Sequence, residues 1–363
     1  MDISNVKFLS LDELKNALEN IPFEAPLVII SQSAEKRWNL SDTLRKVTSS
    51  RPGARRVDDP RPNPTLRDIA GRLSTPLRPD GIVAIGGGSA IDLGKALNAL
   101  RHLESPSAGD ILQAMKARDY AKALPLIAVP STSGTGSEVT GWATVWDDEN
   151  HQKFSVDSPD LVPARAWIVP ELTHGSPLRL TLATGLDAVS HASEAYWAMA
   201  TDRLSQNLSL AALRLLTRYL PQALSDLSAP KPRHGLAEGS LLAGLSFSRT
   251  RTTACHSISY PLTSLFGLEH GFAAALTLGQ VAEINSRHVD LTEFLEVFAP
   301  HGGVQAWLDR TSEPFLPLRL SSFGISGGDV DGVASKASTQ GRMDNNPVAL
   351  DLEAIRQILS NVL

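Results

Sequence analysis

The chain has 363 residues, 42% hydrophobic and 20% charged, with a formal net charge of −5 and one cysteine. The length points to two domains of an ordinary globular protein, and the negative balance gives no reason to expect nucleic acid or an anionic membrane as partner. The single Cys255 excludes an intrachain disulfide and any cysteine-ligated cluster, and a buried, inert thiol is its default role. The opening stretch has no basic start followed by an apolar core, and no apolar run is long enough to span a bilayer, so a cytoplasmic protein is expected.

Short apolar, β-branched runs at 27–31, 81–85, 125–129 and 167–169 read as buried strands with amphipathic stretches between them. That alternation is the pattern of a parallel sheet covered by helices. Residues 141–146 and 153–156 flank Asp147, Asp148, Glu149 and Asn150 as a hairpin. The polar or proline-rich segments 33–63 and 228–234 read as connections. Beyond Pro170 good strands disappear, and 180–227, 235–247 and 271–286 carry Ala, Leu and Ser at helical spacing. The expected fold is an α/β domain with a mainly parallel sheet over 1–175, followed by an all-α domain over 176–363.

Two loops follow strands and carry little but glycine and hydroxyls. Gly86, Gly87, Gly88 and Ser89 come directly after the run at 81–85 and open a helix. Such a turn lets backbone N–H groups approach a pyrophosphate at a helix N-terminus. It is equally a tight strand-to-helix turn with Ser89 as N-cap and Asp92 closing a capping box, and it matches neither G-x-G-x-x-G nor a Walker A loop. The second loop, after the run at 125–129, holds Ser131, Thr132, Ser133, Gly134, Thr135, Gly136 and Ser137. Ligands of open α/β sheets bind beyond the carboxyl ends of strands, so both loops are placed for one cofactor.

In the helical half, Asp187 and His191 stand four residues apart, which puts a carboxylate and an imidazole on one helix face. His256 and His270 follow. One carboxylate with three imidazoles suits Fe²⁺ or Zn²⁺ if the four converge, whereas each histidine alone reads as structural.

Taken together these segments resemble the iron-dependent (group III) alcohol dehydrogenase family. The resemblance runs through nearly the whole chain and rests on Pro62, Asn63, Pro64 and Thr65, on the GGGSAID run from 86 to 92, on PSTSGTGSE from 130 to 138, on GLDAVSH from 185 to 191, and on the His256/His270 pair. It implies a dehydroquinate synthase-like architecture: a dinucleotide-binding α/β domain and a helical metal-binding domain, in a homodimer. The metal ligands would be Asp187, His191, His256 and His270. Gly86, Gly87, Gly88, Ser89 and Asp92 would hold the pyrophosphate and nearby ribose, Thr132, Ser133 and Thr135 the phosphate and nicotinamide side, and Lys153 the cofactor ribose.

Two departures from the family pattern matter. Where many relatives carry a proton-relay histidine four residues after the third ligand, this chain has Tyr260, whose usual pKa near 10 makes it a weaker shuttle at neutral pH. After the first strand the chain reads Ser31, Gln32, Ser33 in place of an acid, with Lys36 and Arg37 close by. NADPH is therefore expected slightly ahead of NADH. The run from 250 to 271 and the later stretch from 342 to 347 resemble the phosphonoacetaldehyde reductase branch. Its anionic substrate would call on Arg249, Arg251, Thr252, Arg342 and Asn346; each arginine is equally readable as a surface charge or an interhelical ion pair. The expected activity is metal-dependent, NAD(P)H-linked reduction of an aldehyde. The alternatives are a dehydrogenase of neutral alcohols, a maleylacetate reductase, a dehydroquinate synthase-like lyase with no net coenzyme consumption, or a non-catalytic relative.

Overall fold

Residues 3–150 and 152–363 are described in the computed structural model of the chain; Met1, Asp2 and His151 lie outside it. By internal contacts the chain forms two compact units, one of Met1–Thr132 with Ser137–Thr173, the other of Ser133–Gly136 with His174–Leu363.

The first unit runs β1 (Val6–Phe8), α1 (Leu11–Glu19), β2 (Pro26–Ile29), α2 (Gln32–Arg37), α3 (Ser41–Ser49), β3 (Arg55–Val57), α4 (Leu66–Arg72), β4 (Gly81–Gly86), α5 (Gly88–Leu100), α6 (Ala108–Ala117), β5 (Leu126–Pro130), β6 (Trp142–Asp147), β7 (Gln152–Asp157) and β8 (Arg165–Ile168). Six strands form one sheet in the order β1-β8-β5-β4-β2-β3, and every pair in it is parallel. The inner strands β2, β4 and β5 are buried at every residue because helices cover both faces. Leu27, Ile29, Ile82, Ala84, Leu126 and Ala128 enter one apolar layer. Their neighbours Val28, Ile30, Val83, Ile85, Ile127 and Val129 enter the opposite one, as the two-residue strand period demands. The chain leaves β2 outward to β3, then returns past β2 to β4, so the winding reverses between β2 and β4. Crevices at such reversals, at strand carboxyl ends, are where open α/β sheets take ligands.

The expected hairpin forms as β6 and β7, with Trp146 opposite Lys153. The segment 33–63 is not a connection: it holds most of α2, all of α3, and β3. Its polar surface misled because α3 buries only the stripe Thr43, Leu44 and Val47, and β3 buries one residue of three at the sheet edge. The edge strand β1 was likewise too short to announce itself.

The second unit is helical: α7 (Leu178–Trp197), α8 (Arg203–Ser225), α9 (Pro230–Thr250), α10 (Ala254–Phe266), α11 (His270–Ala275), α12 (Leu278–Ser286), α13 (Thr292–Phe298), α14 (Val304–Ser312), α15 (Val330–Ala334) and α16 (Leu352–Asn361), with short 3₁₀ turns between. Among the described residues no strand follows β8, and no helix is long and apolar enough to cross a membrane. The expected connection at 228–234 is corrected too. Pro230 begins α9, where a missing N–H costs nothing and φ is already helical. Helix α7 lies at the centre, buried at almost every residue from Thr181 to Trp197.

Candidate active site

Of the four metal ligands expected from the sequence, Asp187, His256 and His270 bring ligand atoms within 4.8 Å of one another, and His191 stands beside Asp187 outside that group. Asp187 and His191 share a face of α7, His256 lies in the first turn of α10, and His270 is the first residue of α11. From Asp187 Oδ1 the Nε2 atoms of His256, His191 and His270 lie at 3.6, 3.8 and 4.0 Å. Those separations are too long for hydrogen bonds. They match two ligand atoms that each stand about 2.0–2.2 Å from one ion and hence roughly 3–4 Å from each other. Asp187 Oδ1 and His256 Nε2 are buried with no hydrogen-bond partner, which native interiors rarely tolerate. The donor set fits a divalent Fe²⁺ or Zn²⁺ ion. The His270 side chain is 33% exposed against 5% for Asp187, so the site opens on its side.

Each imidazole is steered by its surroundings. His191 Nδ1 donates to the Gly134 carbonyl at 3.2 Å, leaving Nε2 unprotonated, and its ring stacks between Phe247 at 4.0 Å and His256 at 4.6 Å. His256 Nδ1 bonds Glu194 Oε2, while Glu194 Oε1 accepts from the Thr253 hydroxyl and from the N–H groups of Cys255 and His256. Such a carboxylate–imidazole pairing fixes ring and tautomer, with Nε2 left to face the site. Burial opposes charge on His256, but Glu194 and Asp187 outweigh it and push the imidazole up to about 10. Burial brings His191 down to about 4 against the pull of Asp187. Burial would raise Asp187, yet the three imidazoles hold it below the usual carboxylate range. His270 can approach because Gly271 follows it: a Cβ there would stand 1.8 Å from the Ala183 carbonyl of α7.

In the first unit the glycine turn opens at the carboxyl end of β4. Gly87 is the N-cap of α5 with no side-chain cap, and its carbonyl takes the Ala90 and Ile91 N–H groups, so the helix start leaves the earlier N–H groups of Gly88 and Ser89 as the donors an anion could use. A Cβ on Gly87 would lie 3.5 Å from the Thr132 side chain, so the two glycine- and hydroxyl-bearing loops adjoin there. The capping box expected of Ser89 and Asp92 does not form. Ser89 Oγ instead accepts the N–H of Asn63, and half-buried Asp92 accepts the Ser137 hydroxyl and the Thr144 N–H, each at 2.9 Å. Each Asp92 oxygen thus takes one donor from the loop after β5 or from β6. Beside it, fully buried Lys95 donates to the Thr140 carbonyl at 2.7 Å, the Thr140 hydroxyl at 3.1 Å and the Trp142 carbonyl at 3.0 Å. Burial lowers Lys95 to about 8 and raises the neighbouring Glu138 to about 7. Burial also raises Asp92, against the favourable charges of Lys95 and, more weakly, Lys153 of β7. This cluster ties α5, the loop after β5 and the hairpin into one support.

The comparisons with known proteins agree with this geometry. Residues 7–170 match the model of the iron-containing alcohol dehydrogenases, and residues 181–363 match the C-terminal model of the Fe-containing alcohol dehydrogenase family. The chain belongs to the iron-containing alcohol dehydrogenase family. A phosphonoacetaldehyde reductase of Streptomyces viridochromogenes is 34% identical over 82% of this chain and 80% of its own. A long-chain-alcohol dehydrogenase of Geobacillus thermodenitrificans is 29% identical over 94% and 90%. Among solved structures, the sulfoacetaldehyde reductase of Bifidobacterium kashiwanohense in complex with NAD⁺ aligns with a TM-score of 0.85 at 25% identity, covering 99% of this chain and 96% of that one. The fold is the dehydroquinate synthase-like one of these enzymes, and this iron-containing alcohol dehydrogenase is an oxidoreductase of alcohols and aldehydes.

The remaining expected residues divide. In this alcohol dehydrogenase, Ser133 is buried and Thr135 half-buried on Ser133–Gly136, which packs with the helical unit, while Thr132 belongs with the glycine turn. Tyr260 stacks beside His270, ring centroids 6.0 Å apart. Arg251 is half-buried two residues before α10 begins its N-cap turn, with φ +66° and ψ −179°, a region essentially reserved for glycine. Thr252 is buried, and its carbonyl accepts from Asn345 Nδ2 at 3.1 Å. Three substrate assignments meet a competing partner. Arg249 is an interhelical ion pair with Asp202 at 2.5 Å. Asn346 is buried, exchanging two amide bonds with Asn285 and donating to the Val348 carbonyl. Arg342 donates to its neighbour Gly341 at 2.8 Å. Glu194, Lys95 and Glu138 were missed. Glu194 had a signal, standing one turn past His191 on the same helix as Asp187.

Proposed function

We propose that this enzyme reduces a small aldehyde carrying an anionic group, phosphonoacetaldehyde first among the candidates, to its primary alcohol. NADPH or NADH would supply the hydride, with one Fe²⁺ or Zn²⁺ ion held by Asp187, His191, His256 and His270. The observation that carries the reading is the meeting of three imidazole Nε2 atoms on Asp187 Oδ1, two of whose buried atoms have no other partner. The anionic substrate is supported by two relatives whose names specify two-carbon aldehydes bearing a phosphonate and a sulfonate.

When bound, the ion supplies Lewis acidity at the carbonyl oxygen, and the dihydronicotinamide supplies the two electrons as hydride. The protein's own part is orientation and charge. Glu194 holds His256 with Nε2 turned to the site, and Gly134 does the same for His191. The N-terminal amides of α5 and the adjoining Thr132 hold phosphate oxygens of the coenzyme, and Lys95, Asp92 and Glu138 keep those loops in register. Tyr260, stacked on His270 at the more open side, is placed to deliver the proton that completes the alcohol. Arg251 and Thr252 are the residues assigned to the anionic group of the substrate.

The test follows loss of reduced-nicotinamide absorbance with ion-loaded enzyme, comparing phosphonoacetaldehyde with neutral aldehydes of similar size. A clear preference in kcat/KM for the phosphonate is the expected result. Equal or better turnover of neutral aldehydes would discard the anionic substrate and keep the dehydrogenase. No oxidation with any aldehyde, despite bound ion, would put a lyase that recycles its coenzyme in its place.

A further inference from the structure

The turn that carries Arg251 is held from a distant part of the chain. Asn345 closes the 3₁₀ turn Met343–Asn345, 95 positions beyond Thr250. Its Nδ2 donates to the Thr250 carbonyl at 2.8 Å and to the Thr252 carbonyl at 3.1 Å. A primary amide has two N–H donors, so both are spent on the residues that flank Arg251. Asn345 also takes the Met199 N–H on its backbone carbonyl at 2.8 Å and the Ala200 N–H on Oδ1 at 3.3 Å. One residue thus joins the chain after α7, the turn from α9 to α10 and the C-terminal segment.

The Arg251 backbone needs such a hold. Its φ of +66° with ψ of −179° persists in a non-glycine residue only where the surroundings over-determine it. The Thr250 hydroxyl donates to the Arg251 carbonyl at 2.9 Å, and Thr250 and Thr252 are both buried. Asn345 is itself fixed from either side. Ahead of it, the buried Ser257 hydroxyl accepts the Thr339 N–H at 2.8 Å and donates to the Ala337 carbonyl. Behind it, Asn346 exchanges amide bonds with buried Asn285 at 3.0 and 3.1 Å. The metal ligand further on is anchored separately: Glu194 takes the Thr253 hydroxyl and the N–H groups of Cys255 and His256. The two holds meet between Thr252 and Thr253, with the residues assigned to the substrate's anion on one side and the ligand on the other.

Resting on the reading that Arg251 binds an anionic group of the substrate, we propose that Asn345 is the positioning residue of that subsite: by gripping the carbonyls on either side of Arg251 it fixes the strained turn, sets where the guanidinium stands, and so determines the preference for an anionic aldehyde without acting on the metal centre.

The experiment is steady-state kinetics on the full-length, ion-loaded enzyme, comparing phosphonoacetaldehyde with its neutral isostere, in which a tert-butyl group replaces the phosphonate. Asn345→Ala should raise KM for phosphonoacetaldehyde about tenfold or more, the factor expected for one hydrogen bond to a charged group. Its kcat there, its KM for the isostere and its ion content after dialysis should move by about twofold or less, because Glu194 still holds the ligand. Added to Arg251→Ala, the same substitution should change the preference no further, since a residue that acts through the guanidinium then has nothing to position. Asn345→Asp keeps the size and the acceptor for the Ala200 N–H but loses both donors, so it carries the test if Asn345→Ala does not fold. An unchanged KM for phosphonoacetaldehyde, an equal rise for both aldehydes, or a loss that adds fully to that of Arg251→Ala overturns the proposal and leaves the anionic substrate standing. Equal turnover of both aldehydes by the wild type overturns that reading, and the proposal with it.

Discussion

Glu194 and His256 form one buried unit: one carboxylate oxygen bonds the ring Nδ1, and the other takes the two backbone N–H groups that begin α10. The carboxylate therefore sets both the ring and the helix that carries it. Glu194→Gln keeps the size but offers an acceptor on one side only. If the amide oxygen stays with the backbone, its NH₂ faces Nδ1 and drives the ring proton to Nε2, the atom that should face the ion. Ion affinity should fall roughly 10- to 100-fold, with coenzyme Kd unchanged. Competition of the loaded variant against a chelator measures it, and wild-type retention would remove Glu194 from the site.

The ion-free protein should be most stable near pH 6.5 as far as its histidines decide. His256 is raised to about 10, so its stabilisation is complete below the unfolded value of 6.5 and fades as pH rises toward 10. His191 is lowered to about 4, so the unfolded chain gains a proton the folded one refuses, and stability falls from 6.5 toward 4. In Tm scans of chelator-treated protein from about pH 5 to 9, His256→Gln should flatten the alkaline limb and His191→Gln the acid one. An alkaline limb unchanged in His256→Gln would contradict the assignment.

Gly271→Ala places a methyl where the Ala183 carbonyl already stands, 1.8 Å away, and 3.1 Å from Asp187 Cβ. Helix α11 must back away from α7, taking His270 with it. Overpacking of this kind costs about 1–3 kcal/mol. The more telling readout is ion content after dialysis, which should drop while the fold, followed by circular dichroism, persists. Full ion content would show that His270 is dispensable to the ligand set.

Lys95→Met keeps the length of the stem but strips Asp92 and Glu138 of their counter-charge and leaves the Thr140 and Trp142 carbonyls without a donor. Breaking a buried charge pair from one side costs about 3–5 kcal/mol. Glu138 is raised to about 7, so its ionisation penalty grows from pH 4.5 to 7; adding Glu138→Gln should restore part of the lost Tm, more at pH 8 than at pH 5. Identical rescue at both pH values would mean the carboxylate is not the strained partner.

What could be read in advance followed physical periodicity. The inner strands are apolar at every position because both faces are covered, and α7 shows its Asp187/His191 face at helical spacing. Segments that bury one side only were lost: β3 at the sheet edge, and α3 with its three-residue stripe. Single-residue reading also confused committed side chains with free ones. Arg249 and Asn346 look available for an anion until Asp202 and Asn285 are seen beside them, partners 47 and 61 positions away. Nor does the spacing of the motif that holds Asp92 tell of Ser137 and Thr144 donating to it.

Arg251 separates backbone from charge in a way few residues allow. Its φ of +66° with ψ near 180° is a conformation only glycine adopts without strain, at a cost of about 1–3 kcal/mol, and it lies just ahead of the helix that carries His256. A strained non-glycine residue held beside a ligand set is explained if the side chain is needed there. Arg251→Gly relieves the strain and removes the cation; Arg251→Ala removes the cation alone. The glycine variant should therefore match or exceed the wild type in Tm and stand above the alanine variant. Both should lose kcat/KM for phosphonoacetaldehyde by roughly tenfold or more, while neutral aldehydes change little. Arg249→Ala is the control, since its exposed pair with Asp202 is worth about 1 kcal/mol or less and should leave the substrate preference alone. If Arg249→Ala shifts the preference and Arg251→Gly does not, the anion is bound from the other end of the 249–252 segment, and the strain at Arg251 serves only to turn the chain into α10.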